Sequence, residues 1–387
     1  MSRKPFCVAP WMNSHVTAHG ERSVCCATSK YHAYEKLSDW WVSPELRKLR
    51  LDMLNGTPPI DTCSSCINNT RTSSLAKTMN ERYPDIIESA DDLTDNEGYT
   101  SLMPKEIEIK HILCNLKCRH CFDRSSSSIR FSSKKAAIPI SPLGPVYINE
   151  LTLSKGVNDI DWLSKNINLV HWTGGEPFMS PLMKPGLEKL IEDEAFSTKQ
   201  VVITNATFNK KNVQSTVDLL KRFHNVVMII SCDGMGDVGA FSRSGWKEDV
   251  FVENVNYLRS ELSHAHFSIH YVLHSVSIFG LYDTIKFCVE NNIQFQGQLI
   301  SFEGHHYLDY NLIKMSTYEK EFERCREYLR LNASTKPCYL EELIQAFKNH
   351  YSPKKFGEEE QKVLDSANII RNDNVDFISI VKDDLNE

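Results

Sequence analysis

From about residue 105 onward, short β-rich apolar runs alternate with longer stretches whose apolar residues recur at three and four spacing. The runs are Glu106 to Leu113, Asn168 to Thr173, Gln200 to Thr204, Asn225 to Ser231, His266 to His274 and Gln296 to Ser301. The helical spacing falls in Lys184 to Glu194, Lys210 to Phe223, Phe251 to Leu262 and Leu281 to Asn291. Strands separated by amphipathic helices predict a parallel sheet, because each crossover needs a helix-length connection. Six such strands predict an α/β fold of the partial (β/α)6, TIM-like barrel type, whose functional residues collect at the carboxyl ends of the strands. The first strand runs directly into Cys114.

The pattern divides the chain into residues 1–100, 101–304 and 305–387. In the first part, Ser43 followed by Pro44 is an N-cap and first-turn proline, which predicts a helix there. The last part reads as a charged helical tail, with helices over Tyr318 to Leu331 and Leu340 to His350, expected to pack against the barrel. Its Cys325 and Cys338 lack partners at ligand spacing. Between the first two barrel strands, Arg124 to Lys135 followed by Pro139, Pro142 and Pro145 reads as a long loop.

A chain of 387 residues with 41% hydrophobic content has room for a globular core and two or three domains. The longest apolar run, Val226 to Ile230, is far shorter than the ~20 residues of a membrane span. The polar start Met1-Ser2-Arg3-Lys4 leads into no signal-like stretch, so the expected location is the cytoplasm, with no membrane contact. A net charge of −6 offers no general field for nucleic acid. Twelve cysteines in such a chain point to metal or redox ligation, since cytosolic thiols are kept reduced.

Seven of the cysteines form two constellations. Cys114, Cys118 and Cys121 make a C-x3-C-x2-C triad. A [4Fe-4S] cluster that only carries electrons takes four thiolates, so three within eight residues leave one iron for a cofactor or substrate. Zinc is the rival for such a set, but zinc sites of this kind come with a second nearby pair. The second strand ends in Trp172-Thr173-Gly174-Gly175-Glu176-Pro177, where glycines permit close approach of the backbone to a ligand.

In spacing and position these two motifs resemble the radical S-adenosylmethionine (SAM) superfamily. The resemblance implies a SAM-binding [4Fe-4S] cluster on the triad, with Gly174, Gly175 and Glu176 contacting the SAM amino group. It also implies that Asn205, Ser231 and Arg243 hold the ribose and carboxylate, and that His120 stands where the family packs an aromatic beside the adenine. The expected chemistry is reductive cleavage of SAM to a 5′-deoxyadenosyl radical that abstracts hydrogen from a small-molecule or peptide substrate. An electron donor such as flavodoxin or ferredoxin would supply the electron.

Cys7, twelve residues, Gly20, four residues, Cys25, and then Cys63-Ser64-Ser65-Cys66 form the second set. It is similar to the twitch motif, a shortened SPASM module holding an auxiliary cluster, although family members carry it after the barrel. Here residues 1–100 would be a twitch-like module placed first. Four cysteine ligands leave no open iron, which suits electron transfer. Cys26 competes with Cys25, which the glycine spacing favours, and a four-cysteine zinc site is the rival. An auxiliary cluster able to take an electron favours net two-electron oxidation, such as dehydrogenation or peptide cross-linking. The alternatives are a redox-neutral rearrangement or group transfer on a nucleotide or peptide, and a non-catalytic metal-bound interaction protein.

On the fifth strand His266, Ser268, His270, Val272 and His274 share one face, and Phe267, Ile269, Tyr271 and Leu273 the other. The apolar face should pack under the helices, leaving the histidine face toward the barrel interior, as Glu108 and Lys110 do on the first strand. Residues four apart on a strand stand about 13 Å apart, too far to share a metal. His274, nearest the carboxyl end, is the candidate acid–base or substrate-binding residue, ahead of His305 and His306. Cys232 reads as a buried strand cysteine and Asp233-Gly234 as a turn.

Overall fold

The computed structural model describes residues 6–17, 20–28, 30–67, 75–140, 158–300, 306–332, 338–372 and 376–386. Its strands are β1 (Asn13–Val16), β2 (Arg22–Ser23), β3 (Glu106–Lys110), β4 (Lys117–Cys118), β5 (Leu169–Thr173), β6 (Lys199–Thr204), β7 (Val226–Ser231), β8 (Arg243–Ser244), β9 (His266–Leu273) and β10 (Gln294–Leu299). The chain forms two compact units. One comprises Met1–His111, Gly144–Val202 and Ser215–Val226, the other Ile112–Leu143, Ile203–Gln214 and Val227–Glu387.

In the first unit β1, β3, β5 and β6 run parallel, with β2 antiparallel on the outer edge of β1. The segment before residue 100 therefore adds two strands to the sheet, with His15 in register with Glu108. Ile107, Ile109, Val170 and Trp172 fill the buried face, and the Trp172 indole N–H donates to Gln200 Oε1 at 2.9 Å. The opposite face is polar. Glu108 and Lys110 on β3 stand in register with His171 and Thr173 on β5. Helix Pro44–Leu54 forms where Ser43 caps it, its side chain accepting from Leu46 N at 3.2 Å.

In the second unit β7, β9 and β10 are parallel. Ile269, Tyr271 and Leu273 on β9 are buried with Phe295 of β10, as the period-two pattern requires. β9 ends at Leu273, so His274 lies just beyond it. The sixth strand starts at Gln294, two residues before the predicted run, whose end at Ser301 lies outside the described residues, as do His305, Pro142 and Pro145.

The expected loop over Arg124 to Lys135 is corrected: Ser127–Lys135 is an α-helix. Ser126 accepts from Ile129 N at 3.3 Å as its N-cap, and Ile129 and Ser133 face inward. A serine-rich stretch reads as loop by composition, yet serine at a helix start satisfies an otherwise orphaned amide. The tail forms helices Met315–Leu331, Leu340–His350 and Glu358–Arg371. Among the described residues no helix is long and apolar enough to cross a membrane.

Candidate cluster and cofactor sites

The triad lies in the second unit, on the loop from Ile112 to Ser126 and its short strand β4. Its backbone is pinned at several points. Ser127 Oγ accepts from Cys114 N at 3.1 Å, Ser126 Oγ donates to Leu116 O at 2.9 Å, and Cys121 N donates to Cys118 O at 3.1 Å. Strand β4 pairs with β8, so that Cys118 is in register with Arg243.

Asn205, just past β6, organises the first cysteine. Its Nδ2 donates to Asn115 Oδ1 at 3.0 Å and stands 3.9 Å from Cys114 Sγ, while its Oδ1 accepts from Thr207 N at 2.8 Å. Arg243 serves the second. Its Nη1 lies 3.8 Å from Cys118 Sγ, and its Nη2 pairs with Asp233 Oδ2 at 2.8 Å. Burial opposes the Arg243 charge, but Asp233 and the nearby Cys118 more than offset it and leave its pKa raised.

Asp233 is fully buried, and Oδ1 accepts from Val272 N at 2.9 Å. The turn expected at Asp233-Gly234 thus contains an anchored counter-ion that sequence reasoning missed. One signal was available, because Asp233 lies two residues past β7 as Asn205 lies one past β6, both at the carboxyl ends of strands. His120 Nδ1 stands 3.6 Å from Asp233 Oδ2, and its ring centroid is 6.4 Å from that of His274. Ser231 closes β7 in register with His270.

Burial pushes the Cys118 thiol up and that of Cys121 up to about 12, with Arg243 and Arg371 opposing the rise in both. Buried thiolates need a compensating positive charge, which a metal cluster supplies and two arginines assist. His274 is buried, and its Nδ1 accepts from Val276 N and Ser277 N, each at 3.2 Å. A backbone amide can only donate, so the neutral ring carries its proton on Nε2.

The Gly174, Gly175 and Glu176 run belongs to the first unit. Gly174 has φ of 72°, and a Cβ there would stand 2.5 Å from the His111 carbonyl oxygen and also meet the Lys110 side chain. Glu176 is buried and accepts from Phe178 N at 3.2 Å, capping the short helix that follows. Beside this turn His111 is buried, and neither ring nitrogen has a hydrogen-bond partner among the described residues.

Also in the first unit, Cys7, Cys25, Cys63 and Cys66 line one cavity of about 80 Å³ with Val24, Leu49 and Met53 among its apolar walls. Cys63 and Cys66 share a face of helix Ile60–Ile67, three residues apart. Burial pushes Cys7 and Cys25 up to about 12, and each is raised further by Cys63 and Cys66. The fold thus brings together the four thiols that the spacing singled out. Cys26 lies outside that lining, and burial together with the nearby Glu108 carboxylate pushes its thiol up. Among the described residues no three His, Cys, Asp or Glu side chains gather as a single metal ion requires. In a [4Fe-4S] cluster each thiolate binds a different iron, which spreads the ligands over a wider cage.

Residues 112–288 match the family model described as Radical SAM superfamily. The match covers 177 of the 387 residues. The matched region opens two residues before Cys114, and the family implies a [4Fe-4S] cluster and SAM. The donor set fits that cluster: two of the triad's cysteines are buried, and Arg243 is held against one of them by a buried carboxylate.

Among solved structures, Streptococcus suis SuiB bound to S-adenosylmethionine is 16% identical, with a TM-score of 0.45 over 71% of this chain and 58% of SuiB. SuiB bound to its precursor peptide SuiA is 17% identical, with a TM-score of 0.43 over 82% of this chain and 66% of SuiB. Native anSMEcpe with bound AdoMet is 16% identical, with a TM-score of 0.43 over 66% of this chain and 69% of that one. The chain therefore spans less than two thirds of the SuiB length it matches. A comparison with curated proteins finds no match.

Proposed function

We propose that the chain is a radical SAM enzyme of the twitch type that carries out net two-electron oxidation of a small-molecule or peptide substrate, by dehydrogenation or cross-linking. The observation that carries this reading is the C-x3-C-x2-C triad at the head of the matched region, with Arg243 against the Cys118 sulfur. In this reading residues 1–100 are a twitch-like module, 101–304 a partial (β/α)6 barrel and 305–387 a helical extension.

When bound, the cluster and SAM supply the reductive cleavage that yields a hydrogen-abstracting radical. The chain's residues bind, orient and shield. Cys114, Cys118 and Cys121 hold the cluster, while Asn205 fixes the Cys114 turn through Asn115. Arg243, locked by Asp233, offers its guanidinium to a carboxylate as well as to Cys118. Gly174, Gly175 and Glu176 meet the SAM amino group, Ser231 the ribose and His120 the adenine. His274 presents an Nε2 proton to substrate, because two backbone amides occupy Nδ1.

Cys7, Cys25, Cys63 and Cys66 hold an auxiliary [4Fe-4S] cluster, and their convergence on one cavity favours oxidation over a redox-neutral outcome. A flavodoxin or ferredoxin serves as electron donor. The test is anaerobic reconstitution with iron and sulfide, followed by dithionite and SAM. Release of 5′-deoxyadenosine that disappears in Cys118→Ala is the expected result, and no release from the fully loaded wild type would sink the reading.

A further inference from the structure

The tail helix Glu358–Arg371 ends against the triad loop, within the same unit. Arg371 Nη2 donates to Cys118 O at 2.8 Å and to Cys121 O at 3.5 Å, and its Nε donates to Lys117 O at 3.2 Å. The contact is returned. Lys117 Nζ donates to Ile370 O at 3.3 Å and to Arg371 O, satisfying carbonyls that a helix C-terminus leaves without intrahelical donors. Next to it Arg119 Nη1 donates to Asn368 Oδ1 at 2.8 Å, Arg119 Nε donates to Phe241 O at 3.1 Å, and the guanidinium lies 4.0 Å from the Phe241 ring centroid.

Arg371 is only 5% exposed, and Arg119 is fully buried. Two buried cations packed at one short loop, Arg119 within it and Arg371 from the tail helix, are costly unless they are hydrogen-bonded. Here they are, and three loop carbonyls between Lys117 and Cys121 have a guanidinium as donor. All of these tail residues lie beyond residue 288, where the family match ends.

We propose that Arg371 is a positioning residue for the triad, fixing the Cys118 to Cys121 turn through its carbonyls and holding a positive charge against the backbone of both cysteines. The inference rests on reading the triad as the SAM-binding cluster site. Its geometric half, a clamped loop, is a property of the empty chain as well. Its electrostatic half concerns the loaded one, because nearby charge and hydrogen bonds set a cluster's reduction potential.

The experiment uses the full chain carrying Cys63→Ala and Cys66→Ala, so that only the triad cluster is loaded, in three versions: Arg371 intact, Arg371→Lys and Arg371→Met. Hydrogen exchange on the empty protein should show the amides of Arg119 and Cys121 exchanging about tenfold faster in Arg371→Met, with β9 unchanged as the control for folding. Reconstituted iron should fall at least about twofold in Arg371→Met, and the midpoint potential of the remaining cluster should move negative as the cation is lost. Arg371→Lys should keep the potential near that of the parent while losing part of the protection, because it retains the charge without the fork.

Unchanged exchange and unchanged potential in both variants would overturn the inference. Should Arg371→Met lose β9 protection, Arg371→Lys decides alone: parental exchange at Arg119 and Cys121 would count against it, and faster exchange for it. If the parent itself takes up no cluster, the reading of the triad has failed, and the exchange result still judges the clamp.

Discussion

The Asp233 carboxylate holds Arg243 at 2.8 Å in a buried pair, and the same guanidinium reaches Cys118 Sγ at 3.8 Å through its other nitrogen. A two-residue relay thereby ties the carboxyl end of β7 to the second cysteine of the triad. Asp233 does three things at once, accepting from Val272 N, pairing with Arg243 and facing His120.

Removing one partner of such a pair leaves a buried charge without compensation. Asp233→Asn should lower the stability of the empty protein by about 3 kcal/mol in urea unfolding. Replacing both residues, as Asp233→Asn with Arg243→Met, should recover part of that loss, since the penalty comes from the orphaned cation. A double-variant loss equal to the sum of the Asp233→Asn and Arg243→Met losses would show that the pair is not coupled.

The second prediction separates the adjacent cysteines. Cys25 lines the four-thiol cavity, whereas Cys26 does not. Reconstituted wild type should carry about eight irons per chain, and Cys25→Ala about four, while Cys26→Ala stays near eight. About four irons with one zinc in the wild type would assign the cavity to zinc instead. Metal analysis of the three proteins decides the matter.

What could be read in the chain follows from which interactions are local. The β9 alternation of Phe267, Ile269 and Tyr271 is written in neighbouring letters, and those three residues are buried as the pattern requires. Cys63 and Cys66 are likewise one helical turn apart. Asp233 was legible only as half of an Asp-Gly turn, because its partner Arg243 lies ten residues on and meets it by folding. Arg371 was illegible for the same reason more strongly, its carbonyl partners lying some 250 residues earlier. The helix Ser127–Lys135 was missed because serine composition suggests loop while a single serine, Ser126, in the right place starts a helix.

Gly174 gives a third prediction, in which fold and cofactor make different demands. Its φ of 72° and the His111 carbonyl 2.5 Å from any Cβ require glycine whatever binds nearby. Gly174→Ala should therefore destabilise the empty chain by about 2 kcal/mol or more, before any ligand is added. Thermal unfolding of apo protein measures this. A variant that unfolds with the wild type yet fails to bind SAM in calorimetry would place the whole demand on the cofactor.

The last prediction concerns acid. Burial lowers His15 to about 3, with Lys110 adding to the effect, and burial lowers His111 to about 4, both from 6.5. Each ring is neutral in the folded chain where the unfolded chain would protonate it. The unfolded state then binds more protons, so stability rises with pH across the interval between the two values. It is fully present above about pH 6.5 and declines as the pH falls toward about 4 for His111, by about 3 kcal/mol at most, and toward about 3 for His15, by about 5 kcal/mol at most. Glu108, raised by burial, works in the opposite direction by taking up a proton in the folded state, so the total curve mixes both signs. The difference between wild type and His111→Gln isolates one of them. Urea midpoints measured from pH 7.5 to 4.5 should converge as the pH falls, the glutamine variant losing less stability because it has no proton to accept. Parallel curves would mean that His111 is protonated in the folded chain as readily as in the unfolded one, and that its burial carries no cost.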